Sequence, residues 1–313
     1  MSTYNGQKYI SEQLNSIISQ SYESWTLLIR DDGSNDETQK IISEYSKKDE
    51  RIIIVDDGLG NLGSAGSFLM LLKLVDTACF MFSDQDDIWL PDKVSKTLSR
   101  ITSDDIPQLV FTDLYVVDSH LNVLSDSFMK LSRFDTQTGV NFSKLIFQNI
   151  VVGCTIAGNR RLIERSGLLS SELIGSVVMH DWWLALTACV HGRLIYVNDK
   201  TILYRQHGNN HIGVKKLDLK RYIKLLLNER PWLKARDYLN MVTKQAQAFR
   251  NQNESSFTPR QKAQIDMLIS TRERAPIKTL LKCFINSVSM HKFDRNFALL
   301  VSLIGLDTRK RWK

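Results

Sequence analysis

Two hydrophobic periods alternate along the first half of the chain. Ile10, Leu14, Ile17 and Ile18 recur at helical spacing within residues 8–20, and similar patterns predict helices over Thr38–Tyr45 and Ser67–Leu74. Between them lie short apolar runs ended by charge: Trp25–Ile29 (WTLLI), Arg51–Val55 (RIIIV), Cys79–Phe82 (CFMF) and Leu109–Thr112 (LVFT). These read as buried strands. Ser34, with Glu37 three residues on, reads as the cap of the second helix. Strands alternating with helices predict a parallel α/β sheet, whose sites gather at the carboxyl ends of its strands. Residues 135–213 are less regular, and from about Val214 the pattern is helical. Pro231, Pro259 and Pro276 are the expected breaks. The expected division is therefore an α/β domain over 1–213 and a helical region over 214–313.

Composition narrows the class. With 43% hydrophobic and 24% charged residues, disordered and low-complexity chains are excluded. Cys79, Cys154, Cys189 and Cys283 are widely spaced with no CxxC pair, so a zinc ribbon and a disulfide scaffold are not expected. The net charge of +7 hides an asymmetry: residues 1–213 carry −7 and residues 214–313 carry +14, from 22 basic and 8 acidic side chains. A basic half suits an anionic membrane surface or nucleic acid. The N-terminus is polar from Ser2 to Lys8, so no secretory signal is visible. The longest apolar run, Phe297–Leu306, is shorter than the roughly 20 residues of a membrane span.

The acids are grouped. Asp31 and Asp32 follow one strand directly, and Asp84, Asp86 and Asp87 follow another. Helix capping needs one acid per helix start, so five acids at two strand ends exceed it. Carboxylates crowded at one sheet edge call for a cation, and hard oxygen ligands favour Mg²⁺ or Mn²⁺ with substrate phosphates completing the shell. Gly58-Leu-Gly60-Asn-Leu-Gly63 matches GxGxxG literally, the mark of an NAD-dependent dehydrogenase. Asp56 and Asp57 stand where pyrophosphate would lie, and a ribose needs one acid where SDQDD offers three. No P-loop is present, and the glycine and asparagines between His207 and His211 disfavour a zinc helix.

Seven motifs then occur in order: STYNG (Ser2–Gly6), RDDGSNDET (Arg30–Thr38), NLG (Asn61–Gly63), SDQDDIWLPDK (Ser83–Lys93), GCT (Gly153–Thr155), HDWWLAL (His180–Leu186) and YRQHGNN (Tyr204–Asn210). Together they resemble the inverting glycosyltransferases of family 2, with the GT-A fold. The last two look most like bacterial rhamnosyltransferases of cell-wall or capsular polysaccharide synthesis. The resemblance covers residues 1–213. It implies a Rossmann-like nucleotide-sugar-binding sheet with flanking helices, and transfer of L-rhamnose from dTDP-β-L-rhamnose, or of a hexose from a UDP-sugar, to a lipid-linked saccharide.

The resemblance also assigns roles. Ser2 and Tyr4 match the loop against the nucleotide, Asp32 the acid that reads the base, with Asp31 beside it, and Asn61 and Gly63 belong to the donor site. Asp84 and Asp86 match the DxD motif that holds Mg²⁺ or Mn²⁺ against the diphosphate, and His207 a position that can join the metal. Arg205 is placed to neutralise phosphate. Asp181 matches the catalytic base, with His180 replacing the usual Glu. Trp182 and Trp183 adjoin the base, where an aromatic face suits an acceptor sugar, but adjacent helical residues point in different directions, so at least one of the two is expected in the core. Two readings of the basic helical region stay open: it sits peripherally on the cytoplasmic face of the plasma membrane, with Phe297–Leu306 in the interface beside Arg309, Lys310 and Arg311, or its helices pack on the catalytic domain and the apolar run is core. Nucleic acid is not an expected partner. In the resembled family a buried strand precedes the S/T-x-Y-N loop, whereas here Met1 directly precedes Ser2. The first strand is therefore expected to be truncated: either the true chain starts several residues upstream, or this form is weak in stability and donor affinity.

Overall fold

A computed structural model describes residues 1–102, 105–136, 140–169, 177–207, 231–272 and 276–310; side chains at 231, 232, 272, 276 and 302–310 are excepted. Residues 214–230 of the region expected to be helical, His211 and the end of the YRQHGNN motif lie outside these residues. Contacts divide the chain into two units. The first comprises Met1–Leu131 and Val151–His211, the second Ser132–Ile150 and Ile212–Lys313. The segment 132–150 thus packs with the C-terminal helices, a grouping that the boundary at 213 did not include.

The first unit holds two sheets. Strands β1 (Ser2–Thr3), β2 (Leu27–Asp31) and β3 (Ile52–Val55) form a parallel sheet in that order. Met1 prolongs the β1 pairing, its carbonyl accepting from Arg30 N–H at 3.0 Å. The second sheet runs β4 (Cys79–Met81), β8 (Ile156–Asn159), β6 (Gln108–Val117), β9 (Arg193–Arg205), β5 (Ile88–Trp89), with β7 (Val123–Ser125) beside β6. Only β6 and β9 are parallel in it; the other pairs are antiparallel. The architecture is a mixed sheet rather than the parallel one expected: β7 turns back on β6 as a hairpin, and β5 and β8 run antiparallel to the long strands β9 and β6 that they meet across long connections. Central β6 is buried at every residue but Tyr115, as a strand covered on both faces must be.

Helices flank these sheets. In α1 (Ile10–Ile18) the residues Ile10, Leu14 and Ile17 are buried, as their spacing predicts. Helix α2 (Thr38–Ser46) begins where Asp36 accepts from both the Thr38 N–H and its hydroxyl. Ser34 is not the cap: it donates to Asp31 instead. Helix α3 spans Gly63–Lys73; the short α4 (Lys93–Leu98), α5 (Phe128–Leu131), α6 (Phe142–Leu145, in the second unit) and α7 (Arg160–Ser166) follow, and α8 spans His180–His191 with residues 180–188 all buried. A helix apolar on every side belongs in a core.

In the second unit the three prolines start helices instead of breaking them: α9 (Pro231–Asn253), α10 (Pro259–Ile269) and α11 (Pro276–Ile285), followed by α12 (Phe293–Lys310). Proline lacks only an N–H that the first helical turn leaves unbonded anyway. No helix among the described residues is long and apolar enough to cross a membrane.

Candidate active site

The loops after β1, β2 and β4 meet at one edge. Gln85, in the middle of SDQDD, accepts from the Tyr4 N–H at 2.8 Å and donates to the Tyr4 carbonyl at 2.9 Å. A Cβ at Gly6 would lie 2.3 Å from Gln85 Oε1, so a larger residue there would push aside the amide that holds Tyr4. The Tyr4 ring is left about half exposed. Ser2 donates to Ser67 at 2.8 Å. Asp31 accepts from Thr3, Ser34 and Gln39. Burial works against its charge, but those bonds outweigh it and hold its carboxyl below the ordinary range.

Asp32 is buried, and its oxygens are occupied within the protein. They accept from the N–H groups of Leu62 and Gly63 at 2.8 Å each and from the Arg30 guanidinium at 2.5 Å. Asn61 donates to the Asp32 carbonyl at 2.8 Å. Asn61 and Gly63 therefore secure Asp32, and Asp32 caps α3 instead of facing a base. The same arrangement disposes of the GxGxxG reading: a carboxylate already fills the helix N-terminus where a pyrophosphate would bind, and Arg30 ties Asp57 and the Gly60 carbonyl to it.

The acidic run after β4 is electrostatically strained. Burial first, then repulsion from Asp86 and Asp181, pushes the Asp84 carboxyl up to about 7. Asp87 is fully buried and held well above the carboxylate range for similar reasons, and its Oδ2 has no hydrogen-bond partner. Ligand atoms of Asp84, Asp87 and Cys154 lie within 4.8 Å of one another. Burial and the facing aspartates keep the Cys154 thiol protonated. Asp86 Oδ2 meets His207 Nε2 at 2.7 Å, and the His207 ring lies 5.0 Å from that of Tyr9. Crowded oxygen donors with one orphaned buried oxygen fit a hard divalent cation.

Arg205 corrects an expectation. It is buried, and its guanidinium donates to the Asp86 carbonyl at 2.9 Å, the Ser119 carbonyl at 3.0 Å and Glu12 at 2.5 Å while stacking over Tyr9. These bonds brace the acidic loop from beneath instead of presenting a charge to phosphate. Lys93 is another internal cation. Its fully buried Nζ sits 4.5 Å over the Trp89 ring, and burial pushes it down to about 8 against the pull of Cys154 and Asp87.

Asp181 stands in the first turn of α8, buried, with Oδ1 accepting from the Trp182 N–H at 2.6 Å. A Cβ at Gly153 would lie 3.4 Å from His180 Nε2 and 3.9 Å from Asp181 Oδ2, so the GCT turn runs beside the start of α8 at ordinary van der Waals distance. His180 packs its ring 4.6 Å from Phe68 and 4.7 Å from Phe82, and neither of its nitrogens has a hydrogen-bond partner. Burial lowers it to about 3, so it is neutral and no proton donor. Trp182 and Trp183 are both core: each is at most 2% exposed, and Trp183 Nε1 donates to the Ser166 carbonyl at 2.8 Å. The acceptor-binding role expected for them is not available to buried rings.

Residues 1–165 match the family described as Glycosyl transferase family 2. The chain belongs to that family. This family 2 glycosyltransferase is 32% identical over 258 residues to the dTDP-rhamnosyl transferase RfbG of Shigella flexneri, covering 79% of this chain and 84% of that protein. It is 27% identical over 165 residues to WfgD of Escherichia coli, a UDP-Glc:α-D-GlcNAc-diphosphoundecaprenol β-1,3-glucosyltransferase, covering 52% of this chain and 60% of that one. Among solved structures, S. aureus TarS 1–349 in complex with UDP superimposes with TM-score 0.55 at 17% identity, covering 96% of this chain and 89% of that chain. That likeness establishes the fold of the transferase.

Sequence reasoning did not single out Gln85, Lys93, Cys154 or Glu12 for these places. Gln85, Lys93 and Cys154 stood inside motifs it quoted. Glu12 carried no signal, since its partner lies 193 residues away.

Proposed function

We propose that the chain transfers L-rhamnose from dTDP-β-L-rhamnose to a hydroxyl of a lipid-linked bacterial cell-surface saccharide, with inversion and with a divalent metal ion. The observation that carries this reading is the 32% identity to a dTDP-rhamnosyl transferase, which extends over 79% of the chain and so past the donor loops. A UDP-hexose donor is the second reading, supported by the shorter match to WfgD, whose printed acceptor is a diphosphoundecaprenol-linked sugar. Work on such an acceptor would place the chain at the cytoplasmic face of the membrane.

In this proposal Asp181 takes the proton of the acceptor hydroxyl as its oxygen attacks the anomeric carbon, while the bond from that carbon to the diphosphate breaks on the opposite side. Asp84, Asp86 and His207 are the residues that would hold the Mg²⁺ or Mn²⁺, with Asp87 behind them. A bound divalent ion supplies charge neutralisation for the departing diphosphate. Ser2, Tyr4 and Asp31 line the nucleotide side, positioned by the Gln85 bonds to Tyr4. A screen of nucleotide release with dTDP-rhamnose, UDP-glucose, UDP-galactose and UDP-GlcNAc tests the donor. Turnover with dTDP-rhamnose above the three UDP-sugars is expected, and preference for a UDP-sugar would overturn the rhamnose assignment.

A further inference from the structure

The second unit exposes large apolar side chains that its own core does not use. In α11, Leu280 and Cys283 are fully buried, while Lys278, Leu281, Lys282 and Ile285 are exposed at i, i+3, i+4 and i+7, a single stripe. Ile285 is 82% exposed. Helix α12 opens with Phe293, also 82% exposed, and Phe297, whose rings stack 6.2 Å apart. Ile285 and Phe293 are the most exposed large apolar residues described, and they flank the turn 286–292 at one end of the helix pair. Solitary exposed leucines need no explanation, but a concentration of aromatic and branched residues does.

The chemistry of the stripe distinguishes its occupants. The core of a protein–protein interface is depleted in lysine, yet here Lys278 and Lys282 alternate with Leu281 and Ile285. Lysines that rest their stems on an apolar surface and lift their ammonium groups to headgroups are the pattern of a helix lying in a bilayer interface. The acid beside Phe293, Asp294, is neutralised by Arg133 at 2.6 Å. Residues 214–313 as a whole carry +14.

We propose that this surface seats the protein on an anionic phospholipid bilayer, with Ile285, Phe293 and Phe297 entering the interface and Lys278 and Lys282 on the headgroups. Of the apolar run read in the sequence, Phe297 belongs to this contact, whereas Leu299, only 6% exposed, faces the protein. The proposal deepens the lipid-linked-acceptor reading, but its test needs neither donor nor acceptor, so the two can fail separately.

The test is co-sedimentation of the full chain with vesicles of phosphatidylcholine, alone or mixed with phosphatidylglycerol. Binding is expected only to the mixed vesicles and to weaken with salt. Each lysine near such a surface is worth about 1 kcal/mol, or about fivefold. Lys278→Gln with Lys282→Gln should therefore cut binding about 25-fold and flatten the salt dependence. Phe293→Ser with Phe297→Ser should also release the protein, and Val123→Ser, an exposed apolar site in the first unit, should not. Melting temperatures show whether the variants fold; should the phenylalanine pair not fold, the lysine pair decides. Equal binding to both vesicles, binding to neither, or no effect of the lysine pair overturns the proposal. A concentration-dependent dimer dissolved by the phenylalanine changes, with no vesicle binding, would assign the surface to a second copy and overturn it as well.

Discussion

Gln85 and Tyr4, 81 residues apart, are joined by a reciprocal pair of hydrogen bonds in which one side-chain amide satisfies both the N–H and the carbonyl of one backbone residue. The middle residue of the acidic run thereby fixes the first loop, while its neighbours Asp84 and Asp86 face Asp181 and His207. Gln85→Ala should weaken donor binding several-fold through loss of the two bonds, each worth about 1 kcal/mol net, with little change in melting temperature because the contact is exposed. Calorimetric titration with the donor beside a thermal melt checks it.

Asp181→Asn should lower the transfer rate constant by about 10²–10⁴-fold while donor affinity stays near that of the native protein. Single-turnover rates and donor binding measured separately make the distinction. Collapse of affinity with an unchanged rate constant would make Asp181 a binding residue.

The contact between His207 and Asp86 predicts a shared function in metal binding. Asp86→Asn and His207→Ala should each raise the Mg²⁺ or Mn²⁺ concentration needed for half-maximal turnover, without unfolding the chain. Full turnover of the native protein in excess EDTA would exclude metal dependence.

Arg205→Met should destabilise the first unit by about 2–4 kcal/mol. Breaking a closed buried ion pair costs about 3–5 kcal/mol, and Glu12, which is half exposed, recovers part of that from water. Denaturant unfolding measures the loss. A variant of native stability with impaired donor binding would restore the phosphate role read in the sequence.

Acid sensitivity should trace partly to His180. Its folded value of about 3 lies below the ordinary 6.5, so as pH falls below about 6.5 the unfolded chain takes up a proton that the folded one refuses. Its contribution to stability is complete above that pH and declines down to about 3, amounting to a loss of roughly 2 kcal/mol by about pH 5. His180→Phe keeps the packing against Phe68 and Phe82 and removes the titration. Its melting temperature should fall less than the native one between neutral pH and about pH 5.

The sequence by itself determined the alternating helices and strands of the first half, the acidic runs at strand ends and the family, because period, turn chemistry and motif order are local properties; strands such as β8 and β9, in the stretch read as irregular, carried no such period. It placed Asp84, Asp86 and His207 in one neighbourhood through the resemblance, and its prolines marked the C-terminal helices, as starts where breaks were expected. Only the tertiary structure decided which polar groups were already committed. Asp32 and Arg205 look like ligand-binding residues by type, yet the first is consumed by the N-terminus of α3 and the second by Glu12 and two carbonyls. Trp182 and Trp183 lost their surface role because neighbouring elements enclose α8 on every side. The grouping of 132–150 with the C-terminal helices depends likewise on partners distant in sequence, such as Lys144 with Ser289 and Tyr238 with the Phe147 carbonyl. A residue type states which bonds a side chain can make; which bonds it does make depends on neighbours brought from far along the chain, and no local pattern records them.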